Sequence, residues 1–277
     1  MDFIDRLIAL ALEEDLGSAG DVTTDALVPA DATGSAEFLV KEPLVLAGLD
    51  VARRAFAAVD PRLGVSFEVE EGSRVEPQRR IGTVRGPLRG ILVGERTALN
   101  FLQRLSGIAT NASRASELLQ GTRCRILDTR KTTPGWRTLE KAAVRAGGAV
   151  NHRFGLFDGV LIKDNHIAAV GSISEAVRRA RARAHHLLKI EVEVEDLQGV
   201  EEAVAAGAEV LLLDNMDTPT MRKAVELVAG RALTEASGGI TAERLPEIAK
   251  AGVDFVSMGA LTHSARAMDI SLEIVAD

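Results

Sequence analysis

The rhythm of apolar and polar residues changes part-way along the chain, at Cys124. From there apolar runs recur as CRILDT, GVLIKDN, KIEVEVED, AEVLLLDN, ALTEAS and DFVSMGA, and each reads as a strand. Helical patterns separate most of them, over Leu139–Ala146, Ser174–Ala184, Leu197–Ala206, Met221–Ala229 and Glu243–Ala251. Helix starts are marked by Ser172 with Glu175, which fits a capping box, and by Thr218 as an N-cap before Pro219. Strands alternating with helices predict parallel strands joined by right-handed crossovers.

The first hundred or so residues lack this alternation. A helix is predicted over Phe3–Asp15 and another over Leu49–Val59, with strands at Ser35–Lys41, Val65–Glu70 and Gly90–Val93 between Gly and Pro signals. That pattern predicts an α+β domain whose sheet packs on a few helices. The segment MDISLEIVA near the C-terminus has strand character and is expected to return to the N-terminal sheet. The predicted division is therefore 1–106 with the strand 267–277, and 107–266 as the second domain.

A doubly wound sheet and a barrel both satisfy the second half, and the polar strand ends favour the barrel. The runs close with Asp128-Thr129-Arg130-Lys131, Lys163-Asp164-Asn165, Glu193-Val194-Glu195, Asp214-Asn215 and Glu235-Ala236-Ser237. In a barrel such C-terminal ends converge on one mouth, where active sites form. A doubly wound sheet gathers its site at one crevice instead. The six runs are too few for a complete eight-stranded barrel, so the fold class expected is α/β: an incomplete parallel α/β barrel preceded by a smaller α+β sandwich.

Composition narrows the function. The 277 residues are 46% hydrophobic and 26% charged, as in ordinary globular proteins. Cys124 is the only cysteine, which excludes a disulfide within the chain and suits a reducing compartment. A formal net charge of −7 speaks against nucleic acid as the main partner. The N-terminus reads as an amphipathic helix, not a signal peptide, and no apolar run approaches the ~18 residues of a membrane span. A cytoplasmic location, with no membrane partner, is the expectation.

The candidate chemistry is concentrated in residues 128–167, where Arg130, Lys131, His152, Arg153 and Lys163 would meet at the mouth. Arg offers a bidentate fork and Lys a compact charge, so a cluster of both suits a substrate with several anionic groups. Facing it, Glu191, Glu193 and Glu195 point to one side of their strand, and Asp214 closes the next. These acids either pair with the basic cluster or serve as a Mg2+ site and hydroxyl acceptors; Mg2+ takes only one or two protein carboxylates. Ser237-Gly238-Gly239 and Gly259-Ala260-Leu261 suit phosphate binding, because glycine lets backbone N–H groups approach an anion. The histidines lack zinc-ligand spacing, and neither GxxxxGK[ST] nor GxGxxG occurs. The run at residues 178–189, RRARARAHHLLK, is expected to be the solvated face of a helix.

The stretch DTRKTTPGWRTLEKAAVRAGGAVNHRFGLFDGVLIKDNHI resembles the signature of the quinolinate phosphoribosyltransferases, the carboxylating nicotinate-nucleotide pyrophosphorylases. The resemblance extends in order through EEDLGSAGDVTTDAL, GERTALNFLQRLSGIAT, EVEVED, LLLDNM, EASGGI and SMGALTHS. It implies transfer of phosphoribosyl from phosphoribosyl pyrophosphate to quinolinate with loss of CO2, by a homodimer or larger homo-oligomer that uses Mg2+. It further implies that Arg130, His152, Arg153 and Lys163 surround the quinolinate carboxylates, with Thr129 also at the substrate. Lys131 would contact phosphoribosyl pyrophosphate, and Arg96 would reach in from the neighbouring subunit. Glu193 and Asp214 would hold ribose hydroxyls and Mg2+, while Ser237, Gly238, Gly239, Gly259, Ala260 and Leu261 would cradle the 5-phosphate. The rival expectations are a molybdenum-transport relative with another acceptor, a lyase using Lys163 as a Schiff base, and a sugar-phosphate binding protein.

Overall fold

A computed structural model describes residues 2–275. The chain forms two compact units, one of Met1–Asn111, Pro134–Gly148 and Ala265–Asp277, the other of Ala112–Thr133 and Ala149–Ser264.

In the first unit, helices α1 (Phe3–Leu16) and α2 (Val22–Leu27) precede β1 (Thr33–Val40), β2 (Leu44–Val45) and α3 (Leu49–Val59). Then come β3 (Gly64–Phe67), β4 (Arg74–Val75) and β5 (Arg80–Pro87). The antiparallel sheet is completed by β12 (Ile270–Val275), which lies beside β1 in the order β12-β1-β5-β3, while β2 and β4 pair separately. The C-terminal strand thus does return to the N-terminal sheet; residues 276–277 of the expected segment lie outside the described residues. Alternation sets the burial along β1, where Ala36, Phe38 and Val40 are buried. Phe38 meets Phe56 of α3 edge-to-face at a centroid distance of 6.1 Å.

The strand expected at Gly90–Val93 is instead the first turn of the 30-residue helix α4 (Leu88–Glu117). The four apolar-compatible residues there fit a strand as well as a helix, and continuation into the predicted stripe of Leu99, Leu102, Leu105 and Ile108 decides for helix. That whole stripe is buried. Gly107 has a packing reason: a Cβ there would come within 1.8 Å of the Arg266 carbonyl oxygen. Helix α5 (Arg137–Ala146), expected between strands of the second half, belongs to this first unit, where Trp136 stacks on Phe101 at 4.6 Å.

The second unit holds six parallel strands: β6 (Arg125–Leu127), β7 (Val160–Ile162), β8 (Ile190–Val194), β9 (Val210–Asp214), β10 (Leu233–Ser237) and β11 (Phe255–Ser257). Their order is β6-β11-β10-β9-β8-β7, so the strands run in sequence around the sheet and the ladder is open only between β6 and β7. The incomplete barrel is therefore present. Helices α6 (Asp164–Val170), α7 (Ile173–Arg183), α8 (Leu197–Ala205), α9 (Thr218–Val228), α10 (Leu245–Ala251) and α11 (Ala260–His263) follow their strands.

Local corrections are small and have physical causes. The N-cap of α9 is Asp217, not Thr218, because its carboxylate accepts from the Thr220 N–H at 2.8 Å; Pro219 still lies in the first turn. Ser172 caps α7 as expected, accepting from the Glu175 N–H at 3.2 Å. Helix α7 ends at Arg183, so the basic run is helical only in its first half. Among the described residues, no helix is long and apolar enough to cross a membrane.

Candidate active site

The C-terminal ends of the barrel strands enclose a cavity of about 850 Å³. From β6 and the segment after it come Thr129, Arg130 and Lys131; from the approach to β7, His152 and Arg153; from the end of β7, Lys163. Glu193 of β8, Asp214 of β9 and Glu235 and Ser237 of β10 continue the ring. Gly238, Gly239, Gly259 and Ala260 close it. Leu261, expected beside them, is buried in α11 and does not line the cavity. Glu195 lies past the end of β8 and is exposed, so the expected row of three acids is a row of two, Glu191 and Glu193.

Side chains and main chain fix these groups in place. The Lys131 carbonyl accepts from Thr262 Oγ1 at 2.8 Å, and its N–H donates to Thr129 Oγ1 at 3.0 Å. Asp128, fully buried, accepts from Asn151 Nδ2 at 2.8 Å and from the His152 N–H at 2.7 Å, which ties the two cationic segments together. Gly238 sits at φ +86°, and a Cβ on it would lie 2.2 Å from Asn215 Oδ1, so no other residue fits this close approach. Gly239 follows at φ +56° and has open space around it, leaving its backbone accessible.

The charges differ in their surroundings. Lys163 Nζ pairs with Glu193, the lysine half in solvent and the carboxylate nearly buried. Arg153 donates from Nη1 to the Gly159 carbonyl at 2.9 Å, while its buried Nε has no partner. Burial, and then the nearby Arg130 charge, lower the Arg153 pKa from its ordinary value. A buried donor left open in a cavity wall is positioned for an incoming anion.

Two members of this ring, His152 and Glu235, meet the buried Glu191 in a cluster that the sequence alone does not single out. His152 Nε2 is 3.1 Å from Glu191 Oε2 and 3.7 Å from Glu235 Oε1. One ligand-type atom from each of these three residues falls within 4.8 Å of the others. Burial, then the neighbouring Glu191 charge, push the Glu235 carboxyl up to about 8. Burial opposes a charge on His152, but Glu191 and Glu235 outweigh it and raise its pKa. No signal in any one segment predicted the cluster, since it needs a loop and two strands that are not neighbours in the sheet.

Known proteins match this chain along its length. The profile "Quinolinate phosphoribosyl transferase, N-terminal domain" covers residues 21–106, and the corresponding C-terminal domain profile covers 108–273. The chain belongs to the quinolinate phosphoribosyl transferase family. A probable nicotinate-nucleotide pyrophosphorylase [carboxylating] of Bacillus subtilis is 44% identical over 261 residues, 94% of this chain and 90% of that protein. A nicotinate-nucleotide pyrophosphorylase [carboxylating] of Mycobacterium leprae is 43% identical over 275 residues, 96% of this chain and 95% of that one. The solved nicotinate-nucleotide pyrophosphorylase of Francisella tularensis superposes with a TM-score of 0.95 at 38% identity, covering 99% of this chain and 96% of that one.

Within this quinolinate phosphoribosyl transferase fold, nearly all the expected site residues line one cavity. Leu261 and Arg96 are the exceptions. Arg96 is exposed on α4, in the first unit, and does not line the cavity.

Proposed function

We propose that the chain transfers the phosphoribosyl group of phosphoribosyl pyrophosphate to quinolinate, releasing pyrophosphate and CO2 and forming nicotinate mononucleotide. The observation that carries this reading is the meeting of Arg130, Lys131, His152, Arg153 and Lys163 with the Gly238-Gly239 and Gly259 turns in one cavity. A dicarboxylate needs several cationic donors, and a phosphate needs open backbone N–H groups, so the two halves of the cavity suit the two substrates.

In this reading Arg130, Arg153, Lys163 and the His152 segment hold the quinolinate carboxylates, with Thr129 beside them. Lys131 faces the pyrophosphate, and Ser237, Gly238, Gly239, Gly259 and Ala260 cradle the 5-phosphate. Glu193 and Asp214 accept from ribose hydroxyls. The bond from the anomeric carbon to pyrophosphate breaks with its electron pair leaving on oxygen, and the ring nitrogen of quinolinate supplies the pair for the new bond. Fixed cations stabilise the departing charge at no reorganisation cost, and the clamped carboxylates aim the ring nitrogen. The ring then carries a positive charge, so the pair left when the 2-carboxylate departs as CO2 rests on carbon beside the cationic nitrogen, and a proton from water completes the product. Lys163, already paired with Glu193, acts as an ammonium charge partner and not as a Schiff base.

Mg2+ is the proposed metal. Asp214 and Glu193 are hard oxygen donors opening on the cavity, and among the described residues no third His, Cys, Asp or Glu clusters with them, which suits an ion that keeps waters and substrate oxygens. When bound there, Mg2+ would neutralise leaving-group charge. A homodimer or larger homo-oligomer in the cytoplasm, with no nucleic acid or membrane partner, completes the proposal.

The acceptor assay tests it. With phosphoribosyl pyrophosphate and Mg2+, quinolinate should be consumed and nicotinate should be a poor substitute; preference for nicotinate would contradict the assignment. For the shared site, Arg96→Ala and Lys131→Ala homodimers should each be nearly inactive, and subunit exchange should restore activity in the hybrid. No recovery despite proven hybrids would assign Arg96 to its own subunit or to the fold alone.

A further inference from the structure

Glu235 plays no part in the mechanism above, yet it lines the cavity from the middle of β10 and is only 2% exposed. An ionised carboxylate at such depth needs partners. Its Oε1 has none within hydrogen-bond reach, and neither has Glu191 Oε1. The groups facing it are few. From β8 comes Glu191, with Glu193 farther along the same strand and committed to Lys163; from the loop before β7 come His152 and then Arg153. From β11 comes the Ser257 hydroxyl, and from β9 the apolar Leu212 stands beside it, with Asp214 at that strand's end. Among the described residues, no lysine or arginine is paired with Glu235 or Glu191.

His152 decides between a metal and a proton at this cluster. Its Nδ1 accepts from the Arg153 N–H at 2.8 Å, which leaves the ring proton on Nε2, where it faces Glu191 and Glu235. A charged ring would set two N–H groups against each other at Nδ1. Metal binding through Nε2 would require the same transfer of the proton to Nδ1. A proton shared between the carboxyls needs no rearrangement.

We propose that Glu235 is a positioning residue kept as a neutral carboxylic acid: it donates its proton to Glu191, and the pair together holds His152 Nε2–H, fixing the backbone that carries Arg153. This deepens the proposed function and rests on Arg153 and its neighbours binding the dianionic acceptor. A neutral Glu235 keeps a second negative charge out of the floor of an anion site. Ionisation of Glu235 as the pH rises through about 8 adds that charge and weakens quinolinate binding.

The test compares the unmodified enzyme with Glu235→Gln, which imitates the neutral acid. Quinolinate affinity is measured by calorimetry without the second substrate, from pH 6.5 to 9.5, and KM for both substrates by turnover. The unmodified enzyme should lose quinolinate affinity at high pH by roughly tenfold per pH unit beyond the transition. Glu235→Gln should bind as well as the unmodified enzyme at pH 7 and show no such loss, with KM for phosphoribosyl pyrophosphate changing in parallel in both. Parallel quinolinate profiles would overturn the proposal, as would a stoichiometric metal lost on the Glu235→Gln change. The unmodified enzyme supplies an independent reading by infrared spectroscopy: a protonated carboxyl band present at pH 7 and gone at pH 9.5 supports the proposal, and its absence at pH 7 contradicts it. If no nicotinate mononucleotide forms, the functional reading falls while the infrared result still judges Glu235.

Discussion

Glu191 and Glu193 stand on the same face of β8, one pleat apart, yet the barrel uses them differently. Glu193 is as buried as Glu191 but lines the cavity, and its partner Lys163 is 46% exposed at the rim. Glu191 faces downward to His152 and Glu235, where water is largely excluded and two carboxylate oxygens have no partner. At the rim, the proposed anion site, the exposed Lys163 ammonium can exchange partners with water or an incoming group. On the floor a second charge beside Glu191 would be costly, and burial and the Glu191 charge push the Glu235 carboxyl up to about 8. Position along one strand thus sets one acid beside Lys163 on the cavity lining and the other beside His152 and Glu235.

The largest expected effect tests the rim. Arg153→Met keeps length but removes the donor left open in the wall, and should weaken quinolinate binding by about 1.5–3 kcal/mol, with phosphoribosyl pyrophosphate much less affected. Equal weakening of both ligands in calorimetry would give Arg153 a structural role and blur the division.

Stability sharpens it next. Glu191→Leu removes the nearer carboxylate partner of the buried His152 Nε2 and should lower unfolding free energy by about 1–3 kcal/mol. Glu193→Leu breaks a pair with a half-exposed lysine and should cost less than about 1 kcal/mol. Denaturant titrations giving equal losses would mean that depth does not distinguish the two acids.

A smaller shift is expected at Asp214. Asp214→Asn keeps the shape and removes a charge, so the Mg2+ concentration for half-maximal turnover should rise several-fold, while quinolinate binding alone changes little. An unchanged Mg2+ requirement would remove Asp214 from the metal site.

Much of the rim could be read directly from the chain, and little of the floor. Arg130, Lys131, Arg153 and Lys163 abut apolar strand runs, and polar residues at strand ends converge in any parallel barrel. The barrel itself was legible because its strands are short apolar runs spaced by capped helices. Gly90–Val93 is a short apolar run that suits either period, and the helix it opens is identified only by the stripe that follows. Glu235 looked like one more polar strand end in ALTEAS. Its environment depends on how loop residue His152 and the β8 and β10 side chains layer inside the barrel, which no local pattern encodes. Arg96 shows the same limit: on its helix nothing in the spacing distinguishes it from a surface arginine.

The central claim is that the cationic wall clamps an acceptor with two carboxylates and that one of them leaves after the ribose bond forms. Quinolinate labelled with carbon-13 in its 2-carboxylate tests this directly, with phosphoribosyl pyrophosphate and Mg2+ present. The account predicts labelled CO2 released in equal amount with unlabelled nicotinate mononucleotide, and none released when phosphoribosyl pyrophosphate is omitted. Label retained in the nucleotide, or CO2 released without the second substrate, would contradict it.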